Sequence, residues 1–158
     1  MPTDWASAPT FVIKPSAKNG IRLCIDCRPL KTALKRFEYP IPTFDHLLRE
    51  INNAKVFTLA DVKSAFWHVP PDAPSSLLTT FNTPLGRMKW NRIPLGISVA
   101  PAQFQRRIDE RLEGLEGTKA IADDILIWGD GNTIEEATSN HDARLSALLE
   151  RCQQKHTN

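Results

Sequence analysis

Apolar positions along the chain alternate between the two-residue period of strands and the three-and-four spacing of helices. Residues 10–13 and 21–27 are strand-type runs that flank Pro15-Ser16-Ala17-Lys18-Asn19-Gly20, where Asn19-Gly20 is a strong turn signal. Tyr39-Pro40-Ile41-Pro42 reads as an extended linker, because each proline pushes the residue before it out of helix. Thr43 suits an N-cap, and Phe44, Leu47, Leu48 and Ile51 follow at helical spacing, which predicts an amphipathic helix over 43–53. Residues 56–61 form a buried-type strand ending in Asp61, and 79–83 with 86–93 read as a hairpin joined at Pro84-Leu85-Gly86. After the turn Pro94-Leu95-Gly96, Pro101 suits the first turn of a helix whose inner face is Phe104, Ile108, Leu112 and Leu115. Residues 120–122 and 125–128 are short apolar runs around Asp123-Asp124, a strand, acidic turn and second strand. A last helix over 134–153 carries Ile134, Ala137, His141, Leu145, Leu148, Leu149 and Cys152 at three-and-four spacing. This order predicts an α+β fold, with helices on one face of an antiparallel sheet.

Composition narrows the class. The 158 residues are 41% hydrophobic and 24% charged, the balance of a folded domain able to bury a core. Its apolar runs are far shorter than the roughly 20 residues that span a bilayer, so no membrane partner is expected. The opening MPTDWASAPTF has neither a basic nor an apolar leader region, so no targeting signal is read there. Net charge is +2, but residues 1–60 hold nine Lys or Arg against five Asp or Glu, and the remainder is acidic. A basic lobe ahead of an acidic one fits phosphates on one side and metal ions on the other; a solvated charged face is the alternative. Cys24 and Cys27 have C-x-x-C spacing, but residues three apart on a strand face opposite ways and no second pair exists, which argues against zinc and for reduced thiols.

The aspartates carry the candidate chemistry. Asp123 and Asp124 are like charges between two apolar strands, an arrangement that repulsion disfavours unless a cation intervenes. Mg²⁺ takes oxygen ligands, commonly one or two carboxylates with substrate phosphates and water. If the strand ending in Asp61 lies beside the Asp123–Asp124 hairpin, three acids meet at one sheet edge, where two metals could serve an in-line displacement at phosphorus. A polar surface turn is the alternative.

Six segments in order resemble the reverse transcriptase of long-terminal-repeat retrotransposons, nearest to the Ty3/Gypsy type. Trp5-Ala6-Ser7-Ala8-Pro9 is similar to the family's W-A-S-P. Arg22-Leu23-Cys24-Ile25-Asp26-Cys27-Arg28-Pro29-Leu30 is similar to its R-x-C-V-D-Y-R-x-L, and Tyr39-Pro40-Ile41-Pro42 to its Y-P-(L/I)-P. Residues 57–66, FTLADVKSAF, resemble F-(S/T)-x-L-D-L-x-S-(G/A)-(Y/F). Residues 93–105, IPLGISVAPAQFQ, resemble M-P-F-G-L-x-N-A-P-A-x-F-Q, and 121–126, IADDIL, stand where the family has Y-x-D-D-I-L.

The resemblance implies a right-hand polymerase in one domain over 1–158. The fingers would span about 8–42 and 75–95, and the palm about 43–74 and 96–158, incomplete at its C-terminal end and without a thumb. It implies an RNA-directed DNA polymerase that adds dNTPs to a primer 3′ end on an RNA or DNA template. Two Mg²⁺ ions, with Mn²⁺ the alternative, would be held by Asp61, Asp123 and the carbonyl of Val62, with Asp124 the supporting acid. Phe66 would be the steric gate against a 2′-hydroxyl. Arg22 with Lys14 or Lys18 would grip the triphosphate, Leu95 and Gly96 would border the nucleotide, and Arg28, Ile121 and Ala122 would lie by template or primer. Further parts of a Pol polyprotein (thumb, ribonuclease H, integrase) would complete the protein, which works in cytoplasmic particles in this family. Two positions depart from the pattern: Ile121 replaces a tyrosine, and Leu95 an aromatic or glutamine. A nucleic-acid-binding fragment that does not polymerise is the second reading. A metal-dependent phosphotransferase of another fold is the third, though the chain lacks a G-x-x-x-x-G-K-(S/T) loop.

Overall fold

A computed structural model describes residues 3–13, 20–30, 34, 35 and 37–156. Lys14 and Lys18 lie outside them, as does most of the expected turn at 15–20. The chain divides into two compact units. One comprises Met1–Glu38 and Ser64–Phe104, the other Tyr39–Lys63 and Gln105–Asn158.

In the first unit, β1 (Pro9–Ile13) and β2 (Ile21–Ile25) form an antiparallel hairpin with Val12 opposite Arg22. The strand ends two residues sooner than expected: Cys27 lies past it and is buried, Cys24 is half-buried, and neither is in a disulfide among the described residues. The segment before β1 turns to another partner: Ser7 forms an isolated parallel bridge to Phe81, its N–H donating to the Thr80 carbonyl at 2.8 Å. A short 3-10 helix, Ala65–His68, and α2 (Ala73–Leu78) follow. Neither is legible from apolar spacing, because each is under two turns. The local signal for α2 is Asp72, whose side chain accepts from the Ser75 N–H at 2.8 Å, with proline in the first turn. β4 (Phe81–Thr83) and β5 (Gly86–Met88) pair around a two-residue loop. Both are shorter than expected. Thr79 closes α2, and at Trp90 the backbone bonds to helix hydroxyls rather than to a strand: Trp90 N–H donates to Thr79 Oγ1 at 3.0 Å and Ser76 Oγ donates to the Trp90 carbonyl at 2.7 Å.

The second unit holds the larger sheet. β3 (Ala54–Asp61), β6 (Thr118–Ile121) and β7 (Asp124–Asp130) pair antiparallel in the order β3-β7-β6. Alternation decides its faces. Ala60, Ala120, Ile125 and Ile127 turn into a core with Leu112 and Leu148, from α3 (Ala100–Leu112) and α4 (Ile134–His156). The opposite face carries Phe57, half exposed, and Leu59, 65% exposed. α1 (Phe44–Glu50) begins after Thr43 as expected, although the threonine hydroxyl makes no cap bond.

α4 starts with a reciprocal cap: Glu136 N–H donates to Thr133 Oγ1 at 3.2 Å, and Glu136 Oε2 accepts from Asn132 and Thr133 N–H. Gly129 lets this helix sit directly on β7, since a Cβ there would overlap the Ala137 carbonyl oxygen. Next to that contact His141 is buried and its Nε2 bonds Thr58 Oγ1 of β3 at 2.8 Å. The architecture is therefore mixed α/β with helices on one face of an antiparallel sheet, as the order of periodicities predicts. Among the described residues no helix is long and apolar enough to cross a membrane.

Candidate active site

The strand ending in Asp61 does lie beside the acidic hairpin. In the β3–β7 register Asp61 stands directly opposite Asp124, and across β7 the same Asp124 faces Ile121 of β6. Directly opposed residues share a face of a sheet, so Asp61, Asp124 and Ile121 belong to the face away from α3 and α4. Asp61 is exposed and Asp124 half-buried. Asp123 precedes the strand, in the turn, and is exposed; its carbonyl accepts the Val62 N–H at 2.8 Å, which extends the ladder one residue past Asp61. Val62 itself packs against the core of the unit. The acids thus sit where two strands end together and the backbone needs a two-residue turn.

That turn is held from behind. Ala122 takes φ +52, the sign that primed hairpin turns require at their first central residue and one a β-carbon disfavours. Gln105, with no solvent exposure, clamps the backbone that leads into the strained residue, on either side of Ile121. Its Nε2 donates to the Ala120 carbonyl at 2.9 Å and to Asp109 Oδ1 at 3.0 Å, and its Oε1 accepts the Ala122 N–H at 3.0 Å. Sequence reasoning passes over Gln105 as one letter of a motif. The available signal is a polar residue one position after Phe104, on a helix flank that should be apolar.

A divalent cation fits the donors. Opposed carboxylates across an antiparallel pair destabilise it unless a cation intervenes, and an all-oxygen set suits a hard ion of the Mg²⁺ class. Among the described residues no group of three or more His, Cys, Asp or Glu side chains is gathered as a metal cage. The donors available are therefore one or two carboxylates with backbone oxygen, leaving coordination for substrate and water.

Other expected site residues are placed individually. Phe66, in the 3-10 helix, is half-buried and meets Phe104 edge-on, with ring centroids 6.2 Å apart. Arg22 is exposed on β2. Arg28 is engaged by Asp26: Nε to Oδ1 is 2.9 Å and the second arm reaches Oδ2 at 2.6 Å, which holds the guanidinium pKa above its ordinary value. Leu95 is half-buried. Gly96 has φ +108, and a Cβ there would stand 2.9 Å from the Ile25 carbonyl oxygen, so glycine is required twice over. A cavity of about 510 Å³ near Tyr39, His46, Glu50 and Lys119 contains none of the candidate acids. At its wall burial raises the Tyr39 pKa, helped by a hydrogen bond to Asp109.

The chain is similar to known proteins over most of its length. The chain is 31% identical over 151 residues to the enzymatic polyprotein of cauliflower mosaic virus (strain NY8153), covering 93% of this chain and 21% of the polyprotein. It is 33% identical over 116 residues to the retrovirus-related Pol polyprotein from transposon 412 of Drosophila melanogaster, covering 72% of this chain and 9% of that protein. The chain thus spans about a fifth or less of these relatives. Its fold superposes on the foamy viral protease–reverse transcriptase in complex with double-stranded DNA, with a TM-score of 0.81 at 19% identity over 98% of this chain and 26% of that one. A selenomethionine-labelled prototype foamy virus protease–reverse transcriptase gives a TM-score of 0.78 at 22% identity, covering 98% and 20% of the two chains. Residues 12–157 match the family described as reverse transcriptase (RNA-dependent DNA polymerase), and the chain belongs to that family.

Proposed function

We propose that the chain is the RNA-directed DNA polymerase domain of a Pol-type polyprotein, adding deoxynucleotides to a primer 3′ end with release of pyrophosphate. The observation that carries the reading is the register of Asp61 opposite Asp124, with Asp123 in the adjoining turn. Asp61, Asp123 and the Val62 carbonyl would hold two Mg²⁺ ions, with Mn²⁺ the alternative and Asp124 the supporting acid. Bound there, the ions would lower the pKa of the primer hydroxyl and offset charge on the leaving pyrophosphate.

The chain's own side chains do the rest. Phe66 presses on the sugar and excludes a 2′-hydroxyl, a role its edge contact with Phe104 supports by fixing the ring. Arg22, with Lys14 or Lys18, grips the triphosphate. Gly96 lets the nucleotide border approach closely, and Leu95 flanks it. Ile121 lies by the primer end, with bulk but no hydroxyl, and Ala122 beside it. Arg28 lies near the template only after exchanging Asp26 for phosphate.

The two compact units support the division into fingers (about 8–42 and 75–95) and palm (about 43–74 and 96–158), although 64–74 and 96–104 group with the first unit and 39–42 with the second. The Ty3/Gypsy type belongs to this proposal: similarity to a Pol polyprotein of transposon 412 fits a retrotransposon origin, and the cauliflower mosaic virus polyprotein stands as the competing lineage. Template, primer, dNTPs and further polyprotein domains are the partners this reading implies, within cytoplasmic particles.

Primer extension on an RNA template with Mg²⁺ and dNTPs, run on residues 1–158 beside Asp61→Asn, tests it. Extension that disappears in the variant supports the polymerase. Template binding with no extension, under either Mg²⁺ or Mn²⁺, favours the nucleic-acid-binding fragment.

A further inference from the structure

In the first unit three aromatic rings run outward from core to surface. Phe81 is buried; Trp90 lies 5.9 Å from it, centroid to centroid, at 37°; Trp67 lies 6.2 Å from Trp90 at 41° and is 47% exposed. The outermost ring belongs to the 3-10 helix and stands on a rigid base. The Trp90 backbone is fixed on both sides by Thr79 and Ser76 hydroxyls, and Ile93 N–H donates to the Val69 carbonyl at 3.0 Å, tying the segment after Trp90 to the residues after Trp67. A tryptophan face held at half exposure on such a base loses little freedom when a second flat group stacks on it.

The same segment is basic. Residues 84–92, PLGRMKWNR, contain Arg87, Lys89 and Arg92 and no Asp or Glu. All three cations are exposed, and none forms an ion pair among the described residues. Among the described residues the Arg87 guanidinium donates to the neutral Thr3 carbonyl, at 3.2 Å. Met88, 43% exposed, adds apolar surface between the charges. An apolar protein partner would gain nothing from burying three unpaired cations. A polyanion with flat apolar faces matches both features.

We propose that Trp67, with Arg87, Lys89 and Arg92, is a contact for single-stranded nucleic acid, in which one unpaired base stacks on the Trp67 indole and the cations meet flanking phosphates. The proposal deepens the polymerase reading and rests on it, since it names a template contact apart from the aspartates. Stacking addresses a base face rather than the sugar, so ribo- and deoxyribo-strands engage alike.

The test is fluorescence anisotropy of labelled twelve-nucleotide oligo-dT and oligo-rU, and of a duplex of equal length, titrated with residues 1–158 across a salt series. Trp67→Ala should weaken single-strand binding by about fivefold or more and leave the duplex within twofold. Trp67→Phe keeps a stacking face, should retain most of the affinity, and guards against a folding defect in the alanine variant. The triple change Arg87→Gln, Lys89→Gln, Arg92→Gln should lower the slope of log affinity against log salt by about two. Trp67→Ala binding single strands as tightly as the parent, or losing duplex and single strand equally while folded by circular dichroism, overturns the stacking contact and leaves the polymerase reading standing. No binding of any strand by the parent at low salt overturns both. Loss of extension in Asp61→Asn with unchanged anisotropy would separate the two sites.

Discussion

Gln105→Leu is the most informative single perturbation of the aspartate-bearing turn. The side chain it replaces makes three hydrogen bonds with no exposure to water. Leucine is close in size, so cavity formation contributes little and polar loss dominates. The Ala120 residue is wholly buried, so its carbonyl loses a partner that water cannot replace, a cost of about 1–3 kcal/mol. Ala122 is exposed, and its N–H can turn to solvent at about 0.5–1 kcal/mol. The added apolar burial returns roughly 1 kcal/mol. The net loss is about 0.5–3 kcal/mol, which for a chain of this size is a fall in Tm of roughly 1.5–9 °C. Thermal denaturation followed by circular dichroism reads the first quantity. Amide hydrogen exchange at Ala122 reads the local one, and should accelerate by more than the global loss accounts for. Gln105→Glu sharpens the point. It keeps an acceptor for Ala122, loses the donor to Ala120, and sets a second carboxylate against Asp109. Burial and that neighbour raise its pKa, so the variant should be less stable at pH 7 than at pH 5, reversing the ordinary acid trend. A leucine variant that melts within 1 °C of the parent (about a third of a kcal/mol), with the Ala122 amide still protected, would refute the clamp.

Other outcomes follow from the same structure. Asp61→Asn should abolish primer extension while leaving the Tm in metal-free buffer unchanged or raised, because it removes a like-charge pair across β3 and β7; a clear fall in metal-free Tm would contradict the repulsion argument. Gly129→Ala should destabilise by about 1–3 kcal/mol in urea titration, since its Cβ would overlap the α4 backbone at Ala137. The Asp72 carboxyl is held below its ordinary pKa by hydrogen bonds from Ser75. Its cap on α2 is therefore complete above the unfolded value of about 3.9 and is lost as pH falls through the depressed folded value; Asp72→Ala should remove that part of the acid dependence in pH-resolved melts.

The periodic elements are legible in the sequence. A residue's face in a long helix or an alternating strand is set by spacing alone, and α4 begins at Ile134 as its spacing predicts because Thr133 and Glu136 satisfy the first-turn donors locally. Short elements are less legible. The 3-10 helix at Ala65–His68 and α2 at Ala73–Leu78 are fixed by neighbours and a single cap, so periodicity has too few turns to register them. The expected strand over 86–93 stops at Met88 because Trp90 is held by α2 hydroxyls that no local rule connects to it.

By itself the sequence determined the class of fold, the family and which three acids are the candidates, since these depend on residue type, order and period. It could not determine how the acids face one another. That Asp61 meets Asp124 across the ladder, with Asp123 in the turn and Val62 bonded to its carbonyl, is a matter of strand register, and shifting the register by one residue would invert which side chains share a face. Likewise nothing in the local sequence joins Gln105 to a turn 17 residues away, or stacks Trp67 on Trp90. Tertiary structure decided these contacts because hydrogen bonds and ring packing act over a few ångströms in space, whatever the distance along the chain.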